Sequence, residues 1–174
     1  MGTISKKICM VGDFGVGKTS LIRRFVEREF SDRYLSTVGV KISRKVIPLT
    51  PDLERNLDTL KLLIWDLEGQ TKFKAITPSY LHGSESILVV ADVTRQETID
   101  NIQNHIQLFL GINPKGSIAI ALNKIDLLDS DEQSYLKESI HSTFTTTVGA
   151  YFTSAKTGEN VDTIFNAIAQ KMVP

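Results

Sequence analysis

Disulfides, membrane spans and a net charge of either sign are all missing from this chain. Its one cysteine, Cys9, has no intramolecular partner and lies in a short apolar run, as a small buried side chain in a reducing, cytosolic setting would. No apolar run approaches the length of about 20 residues that a spanning helix needs, and no secretory signal is expected, since the first residues lack its long apolar stretch. Neither lipid anchor is expected: Lys6 stands where a myristoylation signal needs Ser or Thr, and no cysteine lies near Pro174 for prenylation. Lys and Arg total 20, as do Asp and Glu, so no net field attracts nucleic acid or an anionic membrane. What is present suffices for one core. With 174 residues, 41% of them hydrophobic, and no repeat, low-complexity tract or linker, residues 1–174 are expected to form one domain.

The most informative run is Gly12-Asp13-Phe14-Gly15-Val16-Gly17-Lys18-Thr19, a G-x-x-x-x-G-K-[ST] pattern. A Gly-rich loop can be no more than a turn, so its surroundings decide. Apolar residues 8–11 precede it, and Leu21, Ile22, Phe25 and Val26 follow at helical spacing, giving the strand, loop and helix start that a phosphate cradle needs. Glycines let the backbone wrap an anion with successive N–H groups facing inward, and the helix adds its positive end. Residues Gly12 through Ser20 are therefore expected at a nucleotide triphosphate, with Lys18 at the β- and γ-phosphates and the Thr19 hydroxyl at Mg²⁺.

Short β-rich runs alternate with helical segments, which implies a doubly wound, mostly parallel sheet. Strands are expected over 6–11, 40–49, 60–66, 86–92, 117–123 and 150–153, and helices over 18–27, 73–80, 96–110, 131–144 and 161–172. Residues 87–91 and 118–122 are continuously apolar, as central parallel strands covered on both faces should be. In segment 40–65, two strand-like runs flank a polar stretch with two prolines, which reads as a long antiparallel hairpin at the sheet edge. Lys41 and Lys45 are expected to project from one face of this hairpin, as charge guarding an edge or as a partner surface. The expected architecture is an α/β fold of six strands, one of them an antiparallel edge, and about five helices.

In such sheets ligands bind beyond the carboxyl ends of the strands, so the polar residues there matter most. Asp66 either caps the next segment or brings negative charge to a metal through water, and the metal role is the expectation. Gly69 allows backbone approach to a terminal phosphate, and Gln70 places a neutral amide where it can orient an attacking water. Trp65 reads as packing. Asp126, in Asn123-Lys124-Ile125-Asp126, can accept from the N1–H and exocyclic amine of guanine, a donor pair that adenine lacks on that edge. The Lys124 stem can lie against the ring, while Asn123 can tie neighbouring loops or meet N7. Thr153-Ser154-Ala155-Lys156 ends the sixth strand on the same side.

Together these residues resemble the Ras superfamily of small GTPases, and residues 65–94 look most like the Rab branch. The resemblance spans essentially the whole chain and includes Tyr34-Leu35-Ser36-Thr37-Val38-Gly39, which is similar to the family's first switch. It implies a P-loop NTPase G domain that hydrolyses GTP to GDP with Mg²⁺. It places Phe30 against the guanine, Tyr34 among the nucleotide contacts, Thr37 with Thr19 and Asp66 at Mg²⁺, and Ser154, Ala155 and Lys156 behind the base. Gln70 and Lys18 become the catalytic residues. Loops 33–39 and 66–80 would be held by the γ-phosphate and released on hydrolysis, read by effectors and governed by exchange-factor and activating proteins.

Three departures from the family pattern stand out. Phe14 puts a phenyl ring where the family usually carries a small residue, either crowding the γ-phosphate and any incoming arginine or turning outward. Leu67-Glu68 replaces a small pair; Glu68 is expected to point to solvent, with pairing to a cation or competition for the metal as alternatives. Val40-Lys41-Ile42 lacks the aromatic usual after the first switch, and the hairpin is long. The leading reading is a GTP-hydrolysing switch, probed against a slowly hydrolysing or locked nucleotide-dependent binding module and, more distantly, an ATP-dependent kinase. Asp126 argues against adenine, and His82, His105 and His141 sit in no recognisable base motif.

Overall fold

Strict alternation in the first strand sets up both layers of the core. In β1 (Gly2–Val11), Ile8 and Met10 enter one apolar cluster and Cys9 and Val11 the other, all of them buried. The computed structural model describes residues 2–33, 35–52, 57–69, 78–140, 144 and 146–173. The remaining strands are β2 (Val40–Asp52), β3 (Leu57–Leu67), β4 (Ser86–Asp92), β5 (Ser117–Asn123) and β6 (Gly149–Thr153). They form one sheet in the order β2-β3-β1-β4-β5-β6, with β2 antiparallel to β3 and every other pair parallel. The order reverses beside β1, so the turn leaving β1 opens at the sheet's switch point, where a ligand crevice forms.

Helices α1 (Lys18–Glu27) and α5 (Val161–Met172) cover one face of the sheet, and Phe25 stacks on Phe165 at 4.2 Å between centroids, the planes 8° apart. On the other face α3 (Ile102–Ile112) buries Ile102, Ile106 and Phe109. The short α2 (Gln96–Asp100) precedes α3, and α4 (Ser130–Ile140) buries none of its residues. Central strands β4 and β5 are buried almost end to end, as their apolar runs require. Among the described residues no helix is long and apolar enough to cross a membrane.

Several expected elements differ from those observed. The helix expected over 96–110 is broken at Asn101, where ψ opens to −7° and the side-chain amide reaches Asp13 at 2.6 Å. Of the helix expected over 73–80, residues 73–77 lie outside the described set, and Pro78–Leu81 forms a single 3-10 turn that buries Leu81. The helix expected over 131–144 closes at Ile140, and Phe144 lies in a bend beyond it. β1 and β3 begin earlier than expected because Gly2 to Ser5 pair alongside Leu57 to Lys61, a contact between residues far apart in sequence. The edge hairpin is present, with Lys41 opposite Asp66 and Lys45 opposite Leu62. Its lysines do not act alike: Lys41 lines a cleft, whereas Lys45 donates to the Val26 carbonyl at 3.4 Å and lies 5.4 Å from the Phe25 ring. Cys9 is a free buried thiol, 2.9 Å from Ser84 Oγ, and burial raises it above its ordinary pKa. Trp65 packs as expected, under the Lys7 ammonium at 3.7 Å.

Candidate functional site

A cleft of about 560 Å³ opens at the carboxyl ends of the strands. It is lined by the β1–α1 loop, residues 30–33, 35–38 and 41, Gly69, the residues after β5 and those after β6. From the first loop, Phe14, Gly15, Gly17 and Lys18 line it. The Lys18 ammonium is buried and donates to the carbonyls of Gly12 and Asp13 at 3.0 Å each. Burial, only partly offset by the Asp66 and Asp13 carboxylates, lowers it to about 8. Such an ammonium gains from any anion that displaces the carbonyls.

The loop is held from outside by three side chains that the sequence did not flag. Arg95 Nη1 donates to the Phe14 carbonyl at 2.8 Å; Asn101 Nδ2 and His105 Nε2 lie 2.6 and 3.1 Å from Asp13 Oδ1. Burial alone would raise the Asp13 carboxyl, but the His105 and Asn101 contacts win and hold it below its ordinary value. His105 is buried and its Nδ1 has no hydrogen-bond partner among the described residues. The Asn101 break in the helix serves this grip. Gly69 presses on the same loop: a Cβ there would stand 2.6 Å from Phe14 Cα, so a larger residue would push the post-β3 loop away. The Phe14 ring, 44% exposed, stands among the cleft-lining residues.

At the opening between α1 and β3, three oxygens converge. Thr19 Oγ1 lies 2.5 Å from Asp66 Oδ2 and 2.8 Å from Thr37 Oγ1. Asp66 is 1% exposed, and its Oδ1 is buried with no hydrogen-bond partner among the described residues. Burial raises its pKa, against the pull of Thr19, Lys18 and Lys41. Two hydroxyls and an under-satisfied carboxylate form the oxygen-only donor set of a hard divalent cation. Among the described residues no group of three or more His, Cys, Asp or Glu gathers elsewhere for a metal.

The loops after β5 and β6 interlock. Asn123, 1% exposed, donates to the Val16 carbonyl at 3.0 Å and accepts from Thr153 at 3.1 Å, so it ties three loops and does not face the cleft with its amide free. Lys124, with a left-handed φ of 68°, donates to the Gly15 carbonyl at 2.9 Å and pairs with Asp92 at 2.6 Å. Ser154 Oγ donates to Asp126 Oδ1 at 2.6 Å, fixing one carboxylate oxygen. Arg24 holds the third loop through the carbonyls of Ala155 and Lys156. Asp126, Ala155, Lys156, Ser20 and Phe30 also line the cleft. Asp92 ends a strand on this side, so the strand-end rule could have found it; Arg24, Arg95 and His105 carry no local signal. Gln70, Tyr34 and His141 lie outside the described residues. Glu68 corrects the expectation that it points to solvent: half-buried, it accepts from the Gly39 N–H at 2.8 Å.

The family model for the Ras family matches residues 7–174. The chain is 34% identical over 173 residues to the human Ras-related protein Rab-22A, covering 95% of this chain and 82% of that protein. It is equally similar, at 34% over 173 residues, to the GTP-binding protein ypt5 of Schizosaccharomyces pombe, covering 98% of this chain and 79% of that one. A third relative, the Ras-related protein RABF2b of Arabidopsis thaliana, is 34% identical over 179 residues, 98% of this chain and 82% of that protein. This membership favours a hydrolysing switch over a locked binding module or an ATP-dependent kinase. The chain belongs to the Ras family and is a small GTPase, a protein that binds guanine nucleotide, hydrolyses GTP and works as a molecular switch.

Proposed function

We propose that the cleft holds GTP or GDP with its phosphates on Gly12 to Ser20 and its base between Phe30 and the loops 123–126 and 154–156, within a single G domain over 1–174. The observation that carries this reading is the Asp126 carboxylate, aimed by Ser154 at 2.6 Å and lining the same cleft as the buried Lys18 ammonium. One Asp126 oxygen bonded to Ser154 leaves lone pairs for the two guanine donors. Asn123, Lys124 and Lys156 shape that pocket, with Asn123 acting as a tie between loops.

Thr19, Thr37 and Asp66 would hold Mg²⁺, which when bound supplies charge neutralisation and orientation of the phosphates. The chain's own residues do the rest. Lys18 leaves the Gly12 and Asp13 carbonyls for the β- and γ-phosphates, and Gln70 orients water for attack on the γ-phosphorus. The new O–P bond forms as the bond to the β–γ bridging oxygen breaks, leaving GDP and phosphate. Phe14 at the cleft mouth slows this turnover by crowding the water and any incoming arginine. Loops 33–39 and 66–80 report the nucleotide state to effector, exchange-factor and activating proteins, in the cytoplasm. The test is to identify the nucleotide that co-purifies and follow one turnover of GTP with Mg²⁺. Guanine nucleotide with phosphate release is the expected result; adenine nucleotide, or no uptake after stripping, sinks it.

A further inference from the structure

Glu68 and Gly39 bind each other twice. The Gly39 N–H donates to Glu68 Oε2 at 2.8 Å, and the Glu68 N–H donates to the Gly39 carbonyl at 2.8 Å. The second bond continues the β2–β3 ladder one step past the Val40–Leu67 pair; the first is a side-chain addition to it. Gly39 has φ +71°, a left-handed turn that glycine adopts without strain. Two residues before Gly39 is Thr37, and two before Glu68 is Asp66. These meet again through Thr19, 2.8 Å from the Thr37 hydroxyl and 2.5 Å from Asp66. The result is a ring of contacts made wholly of protein atoms. Glu68 is not among the residues lining the cleft, and the contact described for its carboxylate is to the loop.

We propose that Glu68 is a positioning residue for Thr37: its carboxylate latches the end of the first switch loop to β3 and keeps Thr37 facing Thr19 and Asp66 whichever guanine nucleotide is bound. The proposal rests on the reading of the cleft as a guanine-nucleotide switch. A loop held only by γ-phosphate contacts is released when they are lost. A charge-assisted bond to the backbone favours the closed loop by the same factor in both nucleotide states. With GTP the loop is already closed and gains little; with GDP the latch raises the closed population, so the difference between the two states narrows.

The closed population of residues 35–38 tests this, read by fluorine NMR of a trifluoromethyl tag on Val38→Cys, an exposed position, in the full chain loaded with GDP or with a non-hydrolysable GTP analogue. Wild type should be closed more fully with the analogue than with GDP, yet more than about half of the time with GDP. Glu68→Ala should lower the closed population roughly threefold in the GDP form and by less than about a tenth in the analogue form, because a uniform factor on the closing equilibrium moves only a state that is not already saturated. Glu68→Gln keeps an acceptor and should fall between. Should Glu68→Ala not fold, Gly39→Ala, strained at that φ with open space around its Cβ, should loosen the same segment with the same nucleotide bias. Equal loss in both forms would reveal a simple brace and overturn the latch, as would no change in either. Wild type that retains neither nucleotide overturns the switch reading and the latch together.

Discussion

The Lys124 ammonium lies 2.6 Å from Asp92 Oδ2, joining the loop after β5 to the end of β4. Burial alone would raise the Asp92 carboxyl, but the Lys124 and Thr94 hydrogen bonds outweigh it and hold the carboxyl below its ordinary value of 3.8. A depressed carboxyl stabilises the fold above the unfolded value, and that contribution is lost as pH falls from there through the folded value. Asp92→Asn should therefore cost about 1–3 kcal/mol at pH 7. Urea unfolding at pH 7 and pH 3 checks this: the gap between wild type and variant should shrink at the lower pH.

Asp126 and Ser154 should separate by magnitude. Asp126→Asn replaces an acceptor by a donor at the base and is expected to weaken GDP binding by at least about a hundredfold, relaxing the preference for guanine. Ser154→Ala removes only the group that aims the carboxylate, for a loss of about tenfold. Calorimetry on nucleotide-stripped protein reads both, and unchanged guanine selectivity in Asp126→Asn would place the base elsewhere.

Hydrolysis should respond at the phosphate end alone. Phe14→Gly is expected to raise single-turnover hydrolysis by more than about twofold by clearing the cleft mouth. Gln70→Leu should leave GTP affinity near wild type while slowing phosphate release, and Lys18→Ala should abolish tight binding. Equal rates for wild type and Phe14→Gly would mean the ring does not crowd the water.

The Phe25–Phe165 stack joins α1, which begins at the phosphate loop, to α5. Phe165→Ala should destabilise the fold by about 3–5 kcal/mol. The same variant should lower nucleotide affinity far less than Lys18→Ala, because no atom of Phe165 reaches the cleft. Chemical denaturation and calorimetry on one preparation distinguish the two.

Much of this molecule is written in short-range pattern. Continuous apolar runs marked β4 and β5 to the residue, and helical spacing after the phosphate loop marked α1 and α5, because burial on two faces or one stripe leaves a periodic signal within a dozen residues. Motifs at strand ends named Lys18, Thr19, Asp66 and Asp126 because that chemistry needs fixed residue types at fixed spacing from a strand. Contacts that cross the sheet leave no such trace. Arg95, Asn101 and His105 grip the phosphate loop from more than eighty residues away, Arg24 holds the loop after β6, and Glu68 turns inward to Gly39. A carboxylate's direction depends on which donors the folded chain brings to it. The sequence alone therefore determined the layers, the nucleotide class and the candidates proposed to meet it, while only the tertiary structure decided how those residues are aimed and tied, since hydrogen bonds between distant segments exist only once the sheet has brought them together.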